Sequence, residues 1–518
     1  MLTINYKSMA LVGSILSKVV DLKKSIPTIK LLRNSQRTQK NQLLKLLRIA
    51  RGTEFGKHYK FDDIFFSKDP IKTFQKNVPV HDYTKIFDEW WHKCLQNESD
   101  VCWPGKVKYF ALSSGTSGAA SKHIPLTKEM IRSIKRTSIN QILSLSNYEL
   151  PESCLNKGYL MVGGSTHLVH MGDYYEGDLS GITASKIPSW FQYFYKPGKE
   201  IALERDWPTK IQMIVDSAPQ WDIGILVGVP AWIQIIIEKI LEKYNLKTIH
   251  DLWPNLKIYV HGGVSFSPYK KGFERLMGKE MIYIENYLAS EGFIAYTNRP
   301  NAAGMMLSLN SGIFYEFVPF NEENFESDRT IKHYVNAISL AEVEEGIEYA
   351  ILLTTNAGAW RYLIGDTVKF TSKANNEIII TGRTKHFLSL VGEHLSVDNM
   401  NTAIEKLSND FNVEIPEFTV AGVKHGNLFG HKWYLGINGE SKLDDDTAKK
   451  LIDDYLKDIN DDYKVERASA LKDIEVKIIH SSKFIDWLKS NGKEGGQNKF
   501  PRVLNEQQLK DWEEFISR

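Results

Sequence analysis

Ser113-Ser114-Gly115-Thr116-Ser117-Gly118, with Lys122 four residues further on, packs four hydroxyl side chains and two glycines into six positions. The apolar run Tyr109-Phe110-Ala111-Leu112 leads into it, so the local reading is a strand entering a tight loop. Glycine lets backbone N–H groups approach an anion closely, hydroxyls donate to its oxygens, and a following lysine supplies charge. Such a loop suits a phosphate; a Ser/Gly-rich surface turn has the same composition. Two better-known loops are excluded. A P-loop needs G-x-x-x-x-G-K-[ST], whereas Lys122 here lies between Ser121 and His123. A nucleophile elbow needs G-x-S-x-G, whereas the second glycine of Gly115-Thr116-Ser117-Gly118 comes one place too early.

Outward from this loop, short β-type runs alternate with helical ones from Tyr109 to about Ile380. The runs include Gly158 to Val162, Leu256 to Val260, Met281 to Ile284, Tyr349 to Leu353 and Glu377 to Ile380. Strands interleaved with helices predict an α/β domain whose sheets are covered by helices. The apolar stretch Ile223 to Ile237 reads as a buried strand to Val229, turning at Pro230 into a helix that runs to about Tyr244. The stretch falls short of the ~20 residues that a membrane helix requires. The first hundred residues read as helical, and Met9 to Val20 as an amphipathic helix rather than a signal peptide. After Gly382-Arg383-Thr384-Lys385 the pattern becomes that of a smaller α+β domain. Its helices are expected near 397–409 and 444–458, and its strands near 418–423, 433–437 and 474–479.

With 518 residues the chain has room for two or three domains. A net charge of +2 gives no electrostatic reason to expect nucleic acid or a membrane surface as partner. Three cysteines (Cys94, Cys102 and Cys154) form no C-x-x-C and cannot pair completely, which suits a reducing, cytoplasmic setting.

Four further segments carry chemistry. Tyr287-Leu288-Ala289-Ser290-Glu291 follows a strand, where an aromatic can stack on a base and a carboxylate can hold a hard cation. His261-Gly262-Gly263 also follows a strand, and paired glycines let backbone lie against a ligand or simply turn. Gly365-Asp366 puts a carboxylate between two β-type runs, where it would accept ribose hydroxyls or cap a turn. Gly495-Gly496-Gln497-Asn498-Lys499-Phe500-Pro501-Arg502 puts a lysine on a glycine-rich tail, able to bring a point charge to a developing negative centre.

In their order along the chain these segments resemble the adenylate-forming superfamily, which includes acyl-CoA synthetases. Within it, Ser113 to Gly118, Trp360-Arg361-Tyr362 and Thr381 to Phe387 running on to Gly392-Glu393 most resemble the auxin-responsive, Gretchen-Hagen-type acyl acid amido synthetases. The resemblance implies an acyl-CoA synthetase-like α/β fold. Residues 1–384 would be a large ATP- and acyl-binding domain, and 385–518 a small mobile lid with its hinge near Lys385. It implies ATP and Mg²⁺ as cofactors, with a carboxylic acid and an amine, an amino acid, as substrates. Ser113, Ser114, Thr116, Ser117 and Lys122 would grip the β- and γ-phosphates. Tyr287 would stack on adenine, with Gly262 and Gly263 lying along it. Ser290 would meet the α-phosphate, Glu291 the Mg²⁺, and Asp366 and Arg383 the ribose. Lys499 would bridge the carboxylate and the α-phosphate. Candidate acyl-pocket walls are Val229, Trp232 and Leu288, whose apolar character core packing explains equally well.

The chain departs from the superfamily pattern in two places. One residue more than usual separates the loop from Lys122, and the usual proline is absent there. The usual arginine three places before Asp366 is Leu363, while Arg361 lies five places before it. The reaction expected is acid–amino acid ligation through an acyl-adenylate. A coenzyme A ligase with the same first step and a nucleotide-binding protein without turnover remain open.

Overall fold

The computed structural model describes residues 35–113, 122–151, 154–187, 191–326 and 329–384, and beyond them 387, 388, 390, 393, 395–425, 428–439, 441–460, 463, 464, 467, 471–493 and 499–518. The amphipathic helix expected over Met9 to Val20, the hydroxyl loop from Ser114 to Ser121, and Lys385 lie outside these residues. By compactness the chain divides into two units. The first holds 1–228, 249–263 and 279–380; the second holds 229–248, 264–278 and 381–518.

The first unit is built on an eleven-stranded sheet among the described residues. Strands Tyr195–Lys196, Gly158–Val162, Ile223–Gly228, Ile258–Gly262 and Ile282–Ala289 lie side by side in that order and run parallel. Gly158–Val162 and Ile223–Gly228 are near-continuous apolar runs, the pattern of parallel strands covered on both faces. The sheet continues antiparallel through Gly292–Tyr296 and Met305–Leu307, then through Glu377–Arg383, Tyr362–Ser372, Glu348–Thr355 and Ile313–Pro319. A separate four-stranded sheet orders Lys122–Leu126, Tyr109–Ser113, Tyr175–Gly177 and Val169–His170. Phe110 and Ala111 of its strand share one apolar core with Tyr287, Phe293 and Ile364 of the large sheet. Helix Lys128–Ser144 starts where the Thr127 hydroxyl accepts the Met130 N–H, and the same hydroxyl donates to the Asn356 carbonyl at 2.6 Å.

In the second unit, strands Leu471–His480, Leu428–Asn438, Glu414–His425 and Val503–Leu504 form one sheet in that order. Alternation decides its two faces. Val420 and Trp433 pack with helices Val397–Phe411 and Asp445–Ile459. Ala421 and Tyr434, one position on, pack with Phe484, Trp487 and Trp512 of helices Ser482–Ser490 and Glu506–Ile516. The last two helices were not anticipated from the sequence, although Phe484, Trp487 and Leu488 have helical spacing.

Helix Pro230–Tyr244 begins at the expected proline. Both it and the segment 264–278 group with the C-terminal residues. The second of these is tied there by Arg275, which pairs with Glu414 at 2.6 Å, and by Lys271, which donates to the Ser408 carbonyl.

Candidate functional site

Two segments expected to follow strands are in fact strand. Strand Ile282–Ala289 runs past Ile284, so Tyr287 and Leu288 are sheet residues and only Ser290 and Glu291 lie in the turn before Gly292. Strand Ile258–Gly262 likewise contains His261 and Gly262, leaving Gly263 as the turn residue with φ +83°. Gly262 pairs in register with Asn286, and a Cβ at Gly262 would meet the Asn286 side-chain oxygen at 2.1 Å. Glycine is therefore required there by the neighbouring strand itself. Burial lowers the pKa of His261 to about 3, which keeps the ring neutral.

Gly365-Asp366 was expected between two runs. It lies instead inside one continuous strand, Tyr362–Ser372. Pairing with Glu348–Thr355 jumps there: Leu352 faces Leu363, but Ala350 faces Thr367. The extra residues form a bulge, with Gly365 at φ +92°, a conformation that favours glycine. A bulge re-aims side chains, and here the Tyr287 hydroxyl donates to an Asp366 carboxylate oxygen. Two segments 79 residues apart, both expected to face one nucleotide, are thus in direct contact. Tyr287 is 5% exposed, Glu291 7% and Asp366 9%, so all three side chains lie where solvent is scarce.

Ser113 and Lys122 bracket the hydroxyl loop as paired residues of an antiparallel hairpin. The Lys122 ammonium lies 5.2 Å from the centre of the Tyr83 ring. Tyr83 meets Trp91 at 6.2 Å, and Trp91 meets Tyr362 at 5.4 Å, so ring contacts run from the loop's exit to the strand that carries Asp366. Ser114, Thr116 and Ser117 lie outside the described residues. Leu288 is half-buried and packs against the same core as Tyr287. Arg383 is exposed at the end of strand Glu377–Arg383. Among the described residues no three His, Cys, Asp or Glu side chains gather as a metal cage. The buried Glu291 carboxylate suits one hard-cation ligand, with the others left to a nucleotide's oxygens.

Arg361 is not part of this array. Its Nε donates to both Glu316 carboxylate oxygens at 3.1 Å, and one terminal nitrogen donates to the carbonyls of Gln75 (2.8 Å) and Val78 (2.7 Å). Its neighbours Trp360 and Tyr362 are fully buried, and the Trp360 indole donates to the Cys102 carbonyl. The Trp-Arg-Tyr signature is a core strut.

In the second unit, Val229, Trp232 and Lys499 line one cavity together with Tyr269, Phe484 and Phe500. Two expected acyl-pocket walls and the expected bridging lysine are therefore brought together. Leu288 is not among the lining residues. Glu417 and Arg502 also border the cavity; Arg502 donates to Glu417 at 2.6 Å and to the Phe418 carbonyl at 2.8 Å. The Tyr269 hydroxyl donates to the other Glu417 oxygen. Burial first, then the Glu417 charge, raise the Tyr269 phenol well above its ordinary pKa, so it stays a donor. Tyr269 and Glu417 were missed in the sequence. One sits in an unremarkable Ser-Pro-Tyr turn and the other is a single polar residue in a strand. Glu393, which carried part of the resemblance, is fully buried and accepts from His431 Nε2 at 2.8 Å.

Family models extend this picture over most of the chain. The GH3 family N-terminal domain matches residues 28–167 and 166–282, the GH3 family central domain 306–380, and the GH3 family C-terminal domain 398–508. The chain belongs to the GH3 family. Among GH3 relatives, the jasmonoyl–L-amino acid synthetase GH3.5 of Oryza sativa subsp. japonica is 23% identical over 459 residues, covering 75% of this chain and 78% of that protein. The indole-3-acetic acid-amido synthetase GH3.2 of Arabidopsis thaliana is 21% identical over 443 residues, covering 73% and 79%. Among solved structures, AtGH3.15 acyl acid amido synthetase in complex with 2,4-DB superposes with a TM-score of 0.75 at 18% identity, over 99% of this chain and 97% of that one. A 2-hydroxyisobutyryl-CoA ligase in the postadenylation state gives 0.61 at 13% identity, over 95% and 94%. The GH3 chain described here therefore has the α/β acyl-CoA synthetase-like fold expected from its sequence. Among the described residues no helix is long and apolar enough to cross a membrane.

Proposed function

We propose that this GH3 chain is an ATP-dependent ligase that joins a hydrophobic carboxylic acid to an amine, an amino acid, in two steps. In the first, the substrate carboxylate attacks the α-phosphorus of ATP and pyrophosphate leaves. In the second, the amine attacks the acyl carbon of the acyl-adenylate and AMP leaves. Oxide is a hopeless leaving group and AMP a good one, which is why the acid is activated first. Carboxylate and triphosphate repel each other, so the protein must supply positive charge and fixed positions.

Lys499 would hold its ammonium between the attacking carboxylate and the α-phosphate. Lys122 and the hydroxyls of Ser113, Ser114, Thr116 and Ser117 would hold the leaving pyrophosphate, and Ser290 the α-phosphate. Tyr287, Gly262 and Gly263 would line the adenine, while Asp366 and Arg383 would receive the ribose. Val229 and Trp232 would face the acyl group. Glu291 would hold a Mg²⁺ ion, which when bound neutralises phosphate charge. A small lid, 385–518, moving about Lys385 over a large domain, 1–384, would open the way for the amine. A reducing compartment, the cytoplasm, suits three free cysteines.

The observation that carries this reading is the contact of Tyr287 with Asp366, made through the bulge at Gly365. The relatives' names, which specify jasmonoyl and indole-3-acetic acid amido synthetases, support the amide-forming second step. The test is ATP–pyrophosphate exchange with a panel of hydrophobic carboxylic acids, followed by addition of amino acids or coenzyme A. Acid-dependent exchange and an acyl–amino acid product are expected. Consumption of the adenylate by coenzyme A alone would replace the amide step with a thioester step. No exchange with any acid would leave a nucleotide-binding protein without turnover.

A further inference from the structure

The segment that follows Lys499, residues 500–504, is fixed on two faces. On one side Phe500 is 5% exposed and packs against Phe484 (4.7 Å), Trp512 (4.8 Å) and Trp487 (5.0 Å). On the other, the Pro501 carbonyl accepts the Thr419 hydroxyl at 2.8 Å, the Arg502 carbonyl accepts the Val420 N–H at 3.0 Å, and Val503–Leu504 joins the sheet. The Arg502 guanidinium lies 4.5 Å from the Phe418 ring centre while it donates to Glu417. Glu417 follows a bulge, at which Glu414 faces Asn438 but Glu417 faces Gly436, and this turns its carboxylate toward Arg502 and Tyr269. Tyr269 is 3% exposed and belongs to the segment 264–278, far from Lys499 in sequence.

The geometry points to Tyr269, Glu417 and Arg502 as a positioning relay that holds Lys499 in the wall of the cavity it shares with Val229 and Trp232. The inference rests on the ligase reading above and adds to it three cavity-lining residues that act through Lys499. Lys499 itself is exposed and carries its ammonium on a flexible four-carbon stem. Its aim depends on how firmly its backbone is set, and a displacement of about 1 Å at a reacting centre costs on the order of 100-fold in rate. Tyr269 fixes Glu417, Glu417 fixes Arg502, and Arg502 fixes the turn that carries Lys499.

The test is pyrophosphate exchange, with the acid that the parent uses, in Tyr269→Phe, Arg502→Ala, Lys499→Ala and the double variants Tyr269→Phe/Lys499→Ala and Arg502→Ala/Lys499→Ala. Tyr269→Phe removes one hydroxyl and keeps the ring, so it guards against a folding failure in Arg502→Ala. Expected is a kcat loss of roughly 5–10-fold in Tyr269→Phe and on the order of 100-fold in Arg502→Ala, with both KM values within about 3-fold of the parent. On the residual turnover of Lys499→Ala each change should add less than about 2-fold, because residues that act through one group are not additive. Parent-like kcat in Tyr269→Phe, or losses that multiply with that of Lys499→Ala, would overturn the relay and leave the ligase reading intact. A parent without exchange for any acid overturns both.

Discussion

Arg361 and Arg502 each form a largely buried pair with a glutamate, and the two pairs serve their surroundings differently. Arg361 meets Glu316 among fully buried aromatics, and its remaining donors go to the carbonyls of Gln75 and Val78. Glu316 and Val78 are fully buried, and Gln75 is half-buried. Arg502 meets Glu417 beside a cavity, with both side chains about 15% exposed, and its network includes the Tyr269 hydroxyl, which lines the same cavity. The first pair is set in a strut that joins the helical N-terminal segment 70–77 to the sheet. The second is set next to the lysine on which the proposed chemistry turns. Residue type and pairing are the same; what lies beside each pair decides what it does.

Removing each arginine in turn separates the two pairs. Arg361→Ala leaves Glu316 charged and buried and should cost about 3–5 kcal/mol of stability. Arg502→Ala, nearer solvent, should cost distinctly less. Urea unfolding of both variants measures the difference, and equal losses would erase it.

The second prediction concerns pH and the same strut. His81 N donates to the Arg361 carbonyl at 3.1 Å, and His81 Nδ1 donates to the Trp360 carbonyl at 2.9 Å. Burial lowers the His81 pKa from its ordinary 6.5 to about 4. The folded state thus disfavours the charged ring. Its contribution is fully present above about pH 6.5 and is lost as pH falls toward 4, on the order of 3 kcal/mol in all. Chemical denaturation of the parent and of His81→Asn between pH 7 and 4.5 checks this; a parent slope no steeper than the variant's refutes it.

The third prediction moves to the bulge. Asp366→Asn keeps the shape and removes the charge, so ATP binding should weaken about 10–100-fold, the worth of a charge-assisted hydrogen bond. Calorimetric titration with ATP reads it, and an unchanged affinity would detach Asp366 from the nucleotide. Smaller still, Tyr287→Phe should lower stability by about 1 kcal/mol. The last prediction returns to the strut. Burial raises the Cys94 thiol to about 12, Cys154 to about 11 and Cys102 well above its ordinary value. A thiol reagent should scarcely label the native chain. Because the Cys102 carbonyl receives the Trp360 indole, Arg361→Ala should speed labelling of Cys102 and Arg502→Ala should not.

The fold class was legible because it rests on periodicity and punctuation. Apolar runs such as 223–228 become parallel strands wherever both faces are covered, and Pro230 starts a helix because its fixed φ and missing N–H suit a first turn. Strand ends were less legible. Tyr287 and His261 read as loop residues because Asn286 and Gly262 interrupt the apolar pattern, yet the two pair with each other and extend both strands.

The amino-acid order by itself determined the α/β architecture, the family, and the residue types available for nucleotide and acyl chemistry, since these follow from short-range pattern and from motifs in sequence. Only the tertiary structure decided that Arg361 is a core strut, that Asp366 reaches Tyr287 through a bulge, and that Tyr269 and Glu417 line one cavity with Lys499. Those outcomes depend on strand register and on contacts between residues tens to hundreds of positions apart, which no local run of residues encodes.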